Sequence, residues 1–177
     1  MIETLITSKT RVKLLIKFFL NAETSSYLRE LAANLNENTN AVRVELNRLT
    51  DAGILLSERK GNKVFYRANR AHIFFKDIQS IVSKYTGLDR LLDEVVGYLG
   101  DLKRVYVIGD YANGNDSGTI ELLMTGDPKL DYLSNLIDRM EQEISRKIKC
   151  KAMSVDDATV FLQEKGNSAF LIYDGER

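Results

Sequence analysis

One cysteine and one histidine are all that this 177-residue chain offers to thiolate or imidazole chemistry, and no apolar run approaches the ~20 residues that a membrane span requires. A lone Cys150 cannot close an intramolecular disulfide, and a single Cys with a single His72 does not make a structural zinc site. The start MIETLITSKTR lacks the basic opening and apolar stretch of a secretory signal, so the chain is expected to be cytoplasmic, in a reducing compartment, with no membrane partner. Internal repeats and low-complexity segments are also missing. Net charge is zero, from 25 basic and 25 acidic residues, which taken whole gives no reason to expect a polyanion as partner.

The distribution of charge changes that reading. Residues 1–70 carry twelve Lys/Arg against seven Asp/Glu, a balance of +5, and residues 71–177 carry thirteen against eighteen, a balance of −5. A polyanion would meet the first stretch. Chain length fits two modest cores.

Periodicity divides the first stretch into three helices and a hairpin. Val12, Leu15, Ile16 and Phe19 recur at helical spacing after Ser8, a suitable N-cap, over Lys9 to Leu20. The Thr24-Ser25-Ser26 cluster ends that segment, and Leu28, Leu31, Ala32 and Leu35 mark a second helix over 28–35. Asn36-Glu37-Asn38 reads as a turn, after which Asn38 or Thr39 caps a third helix to Ala52, with Val42, Leu46 and Leu49 inward and Gly53 as its stop. Two β-prone runs, Ile54-Leu55-Leu56 and Val64-Phe65-Tyr66, flank Lys60-Gly61-Asn62 as a hairpin, with one of Phe65 and Tyr66 in the core and the other on the surface. This order is that of a winged helix-turn-helix.

Such a fold places the second helix of the pair in the major groove. The outward set there is Thr39, Asn40, Arg43 and Asn47, of which Arg can pair bidentately with guanine and Asn with adenine. Arg59, Lys60, Asn62 and Lys63 at the hairpin tip, with Arg67 behind and Arg29 and Arg48 nearby, suit phosphate. Any one of these cations alone is equally an ordinary solvated side chain; together they point to double-stranded DNA. Leu31-Ala32, Leu35, Asn38-Thr39, Val42, Leu46, Leu49 and Ala52-Gly53-Ile54 resemble ArsR-like winged-helix regulators, and the resemblance runs through Gly61 to Asn69, His72 and Phe75. Glu37 replaces a usual apolar residue, Ile73 a frequent proline, and metal-sensing cysteines have no counterpart. The resemblance implies a homodimer formed by the first helix and the helix after the wing, here 9–20 and 71–85, on a pseudo-palindromic operator.

From Ala71 to about Leu102 the pattern is helical with a break near Thr86-Gly87, and Ile73, Phe74, Ile78, Ile81 and Val82 form one stripe; this is read as a connector that also dimerises. Strands at 104–108, 120–124, 150–154 and 169–173 then alternate with helices at 130–148 and 157–165, a small α/β domain. Gly109-Asp110, Ala112-Asn113-Gly114 and Thr119-Ile120-Glu121 are similar to the minimal nucleotidyltransferase signature, in which a Gly-Ser turn holds triphosphate and two Asp residues hold Mg²⁺. On that resemblance Asp110 occupies the serine position, and Thr119 and Glu121 the two metal positions, so one carboxylate replaces two, with Asp110 or Asp116 as possible supplements. Spacing persists without the chemistry.

These observations predict an α+β chain: a winged helix-turn-helix over 1–70, a helical connector and dimerisation segment over 71–102, and a nucleotidyltransferase-like domain over 103–177 without catalysis. No catalytic residue, resident metal or cofactor is expected. Gly109, Asp110, Gly114 and Glu121 form a candidate site for a nucleotide or small-molecule effector, the alternative being a dimer-stabilising or docking domain. Sequence-specific transcription regulation is the leading reading; a metal-dependent nucleotidyltransferase using Asp110 and Glu121, and a protein-docking winged helix, are its rivals. Cys150 is read as structural for want of a partner thiol, and His72 as a local cap or packing residue.

Overall fold

The computed structural model describes residues 6–98, 100–128, 130–165 and 169–175. The chain forms two compact units, Met1–Tyr85 and Thr86–Arg177, and is mixed α and β throughout. The boundary falls inside the segment read as a connector, at the glycine break. Helix α4 (Phe75–Thr86) lies almost wholly in the first unit and α5 (Leu88–Tyr98) in the second, on either side of Gly87.

The first unit is built around α1 (Lys9–Phe19), which begins where Ser8 Oγ accepts from the Arg11 amide at 3.2 Å. Val12, Leu14, Leu15, Ile16, Phe18 and Phe19 are all buried, so the helix is enclosed on most of its circumference. Helices α2 (Leu28–Asn34) and α3 (Thr39–Asp51) contribute Leu31, Ala32, Val42, Leu46 and Leu49 to the same core.

Strands β2 (Leu55–Lys60) and β3 (Lys63–Ala68) form the hairpin, and a strand not anticipated from sequence, β1 (Ser25–Tyr27), pairs antiparallel with β3 to complete a sheet of order β1-β3-β2. The Thr24-Ser25-Ser26 cluster therefore leads into a strand rather than being only a helix stop. Ser26 is buried and donates to Glu30 at 2.7 Å, while Glu30 also faces the Tyr27 amide, closing the start of α2. His72 Nδ1 accepts from the Phe74 amide at 3.2 Å, the local capping role expected of it.

In the second unit, β4 (Gly100–Ile108) runs antiparallel to both β5 (Thr119–Pro128) and β7 (Ala169–Asp174), and β6 (Lys147–Met153) lies parallel to β5, giving the order β6-β5-β4-β7. Helix α7 (Leu130–Ile144) makes the crossover that a parallel pair requires. Val105, Val107, Ile120, Leu122, Met124 and Ile148 bury one face, together with Leu91 and Val95 of α5 and Leu136 and Met140 of α7. On the other face Ile108 and Leu123 pack with Ala158 of α8 (Val155–Lys165). Helix α7 stops earlier than its pattern predicts because Ser145 turns into the left-handed region (φ 54°), which lets β6 start at Lys147. Helix α8 starts two residues early, capped by Ser154, whose Oγ accepts from the Asp157 amide at 3.1 Å. No described helix is long and apolar enough to cross a membrane.

Candidate nucleic-acid interface

Helix α3 is positioned by its start. Asn36 adopts a left-handed conformation (φ 49°) to turn the chain out of α2, and Asn38 caps α3, its Oδ1 accepting from the Asn40 amide at 2.8 Å. Glu37, the departure from the apolar pattern, is explained here. Its carboxylate accepts from Lys13 Nζ at 2.6 Å and from Thr10 Oγ1 at 3.1 Å, and Lys13 also donates to the Leu35 carbonyl at 3.0 Å. A polar clamp from α1 thus does what an apolar residue would otherwise do.

A second clamp holds α3 itself. Glu45 is on its inner face, with the side chain only 7% exposed, and accepts from Arg11 Nε at 2.7 Å and from Arg48 Nη1 at 3.1 Å. Burial alone would raise its carboxyl, but hydrogen bonds from Arg11 and Ser8 and the charges of Arg11 and Arg48 outweigh that and hold it below the usual range. Glu37 is held low as well, first by the Lys13 hydrogen bond, with burial opposing. Since both carboxyls titrate lower folded than unfolded, they stabilise fully above the unfolded value near ~4.3 and cease to do so as pH falls through the folded values. Urea unfolding should therefore show stability dropping below about pH 4.3, and Glu45→Gln should flatten that drop. A pH profile identical in the variant would refute the clamp.

With its inner side fixed, α3 exposes Thr39, Asn40, Arg43 and Asn47, as the sequence spacing predicts, and Arg48 besides. The side chains of Asn40, Arg43 and Asn47 have no hydrogen bond or ion pair among the described residues, so their donors and acceptors are available. Arg48 differs, since it is engaged by Glu45 while its side chain stays 62% exposed. Sequence reasoning passed over Val44. It is 40% exposed on the same outward side, and the signal was its position two residues after buried Val42, about 200° around the helix.

The wing brings together only some of its cations. Lys60 and Lys63 are directly opposite in the ladder around a two-residue turn, in which Gly61 takes a positive φ (62°) as a type II′ turn requires. Pairing of Glu58 with Phe65, and of Tyr27 with Phe65, puts Tyr27, Phe65, Lys60, Lys63 and Arg67 on one sheet face. There Lys63 Nζ lies 4.0 Å from the Tyr27 ring centroid and Lys60 Nζ 6.0 Å from that of Phe65. Arg59, one residue out of phase, belongs to the opposite face, the one that buries Leu55 and Ala68, and its Nε donates to the Gly61 carbonyl at 3.3 Å. Arg59 is exposed, as are Asn62, Arg29 and Arg67. Phe65 and Tyr66 are both half-buried instead of dividing between core and surface.

In the second unit, β4 passes into a short helix, α6 (Gly109–Ala112), through Gly109 at φ 69°. Any Cβ there would lie 3.1 Å from Glu121 Oε2, so the glycine allows the turn to close on the Glu121 carboxylate. Asp110 is exposed, Glu121 half-buried, and Gly114 takes a positive φ (70°). Across from Glu121, β6 presents Lys149, not a carboxylate. Asp116, named as a supplementary ligand, is already committed: it accepts from the Tyr111 hydroxyl and from Arg146 Nη2 at 2.6 Å, and the Gly118 amide faces it at 3.3 Å. Among the described residues no group of three or more His, Cys, Asp or Glu is arranged to hold a metal ion. Cys150 lies within β6, not at its start, and burial pushes its thiol up to about 12, leaving little thiolate at neutral pH.

The family described as PaaX-like protein matches residues 21–70, the helix-turn-helix and wing. No curated protein matches. Among solved structures, reduced HlyU from Vibrio cholerae is similar at 16% identity and a TM-score of 0.37, over 47% of this chain and 79% of that one. A protein of Sulfolobus solfataricus described as a candidate nucleotidyltransferase is similar at 17% and 0.34, over 56% and 88%. TrmBL2, an archaeal chromatin protein with a novel mode of DNA binding, is similar at 15% and 0.27, over 82% and 68%.

Proposed function

We propose that this chain is a sequence-specific DNA-binding transcription regulator of ArsR-like type, whose C-terminal nucleotidyltransferase-like unit has lost catalysis. The observation that carries the reading is the outward side of α3: Asn40, Arg43 and Asn47 are exposed and unengaged on a helix clamped from behind through Glu45. Base readout needs such rigid presentation of free donors. Lys60, Lys63 and Arg48 supply phosphate contacts, with Arg59 and Asn62 at the hairpin tip. Against catalysis in the second unit stand Thr119 in one metal position, Lys149 beside Glu121 and the engagement of Asp116 by Arg146. Gly109, Asp110, Gly114 and Glu121 remain the place for a nucleotide or small-molecule effector.

A salt titration separates DNA binding from the docking of a protein partner. Four phosphate contacts per copy, eight in the dimer, give log K against log salt a slope of about −7 on duplex DNA. A slope near zero would remove the DNA reading.

The dimer is assigned to α4. Its inner side docks on α1, with Val82 buried, the Phe19 and Phe75 rings 5.5 Å apart and Gln79 Nε2 donating to the Phe19 carbonyl at 3.4 Å. The outer side leaves Ile81 51% exposed, and the turn that leads into the helix leaves Ile73 83% and Phe74 58% exposed, apolar surface that a second copy would cover around a two-fold axis. Ile81→Glu is expected to shift sedimentation from dimer to monomer at micromolar concentration. A wild-type chain that sediments as a monomer there contradicts the assignment.

A further inference from the structure

Val44 is the one aliphatic side chain larger than alanine on the exposed side of α3, where Thr39, Asn40, Arg43, Asn47, Arg48 and Asp51 are its companions. At 40% exposure it keeps a large part of its hydrocarbon surface open to solvent. β-Branching gives it no helix-forming advantage over the polar residues around it, so local propensity does not account for its presence. Its neighbours on the helix surface are Asn40 and Arg48 at four residues and Asn47 at three. It therefore lies among the side chains assigned to DNA.

A hydrocarbon side chain has one favourable partner among base edges in the major groove, the C5-methyl group of thymine. We infer that Val44 is a specificity-determining residue that packs against a thymine methyl in each operator half-site. This rests on the DNA-binding reading of α3. Helical rise limits how far that thymine lies from the bases read by its neighbours. Val44 and Asn47 are separated by about 4.5 Å along the axis, and Val44 and Asn40 by about 6 Å, against about 3.4 Å between successive bases. The thymine is consequently within about two base pairs of each base that the two asparagines read. Because Asn is suited to adenine, the half-site core is rich in A·T pairs at these positions.

Uracil differs from thymine by that methyl alone, which makes the test specific. Duplexes carrying the preferred operator, obtained by selection with the full chain, are prepared with each thymine of a half-site replaced singly by deoxyuridine. Dissociation constants are then measured for the wild type and for Val44→Ala, an exposed change that leaves the core intact and raises helix propensity. One replacement is expected to weaken wild-type binding about fourfold, the worth of one buried methyl, and to leave Val44→Ala unaffected. The inference is overturned if no single replacement weakens the wild type, or if Val44→Ala responds to the same extent; either result leaves the DNA-binding reading standing. A selection that returns no preferred sequence removes that reading, and this inference with it.

Discussion

Arg43→Ala is expected to weaken binding to the preferred duplex by about 10- to 100-fold per half-site, the range of one bidentate contact to guanine. The physical case rests on what Arg43 does not do. It makes no ion pair or hydrogen bond among the described residues, and its helix is held by residues on the other side, Val42, Glu45, Leu46 and Leu49. Truncating it therefore leaves the fold within about 0.5 kcal/mol of wild type. Discrimination between preferred and scrambled duplexes should fall with affinity, because a base contact has been removed. Lys63→Ala makes the contrast: it should weaken both duplexes alike and reduce the salt slope by about one per copy, about two for the dimer. Were Arg43→Ala to lower both affinities equally, Arg43 would be a phosphate contact and base readout would lie elsewhere on α3.

Asp116→Ala is expected to destabilise the C-terminal unit by about 3 kcal/mol, the cost of leaving a largely buried charge without its partner. Arg146 and Asp116 are 2.6 Å apart with side chains only 13% and 21% exposed, and Tyr111, fully buried, donates its hydroxyl to the same carboxylate. Burial would raise the Asp116 carboxyl, and hydrogen bonds from Arg146 and Tyr111 overcome it and hold it low. Burial and the Asp116 contact together raise the Tyr111 hydroxyl, so it remains a donor at any physiological pH. A carboxyl held below its unfolded value of ~3.9 stabilises above that pH and stops doing so as pH falls through its folded value. Calorimetry on the full chain should show one transition moved down in Asp116→Ala and much of the loss restored in Asp116→Ala/Arg146→Met, where no charge is stranded. A double variant less stable than the single would show that Arg146 matters through other contacts.

Most helices were legible because burial is one-sided and periodic. Val42, Leu46 and Leu49 repeat with the helix, and each is buried. What escaped was decided by distant partners. Ser25-Ser26-Tyr27 has no hydrophobic alternation, and it is a strand because β3 pairs with it. Val82 and Ile81 read as one stripe, whereas in the fold the first is buried and the second exposed. The end of α7 depended on Ser145 adopting a positive φ, which local propensity does not announce.

The candidate interface divides along the same line. Thr39, Asn40, Arg43 and Asn47 follow from the phase of α3 and lie where spacing puts them. Placement of Arg59 required the hairpin register, because one residue's shift in a strand reverses the face. Glu37 looked like a departure from pattern until Lys13 and Thr10 of α1 came within reach of it. Asp116, likewise, looked available until Arg146, thirty residues later in the chain, closed on it.

Selection of duplexes from a random pool by the full chain, at low and at raised salt and in parallel with Arg43→Ala, tests the central claim most directly. The expected result is a two-fold symmetric motif with half-sites about 10 base pairs apart, or a multiple of that, which persists as salt removes non-specific binding and is lost in the variant. Enrichment of no motif by the wild type under either condition would contradict it.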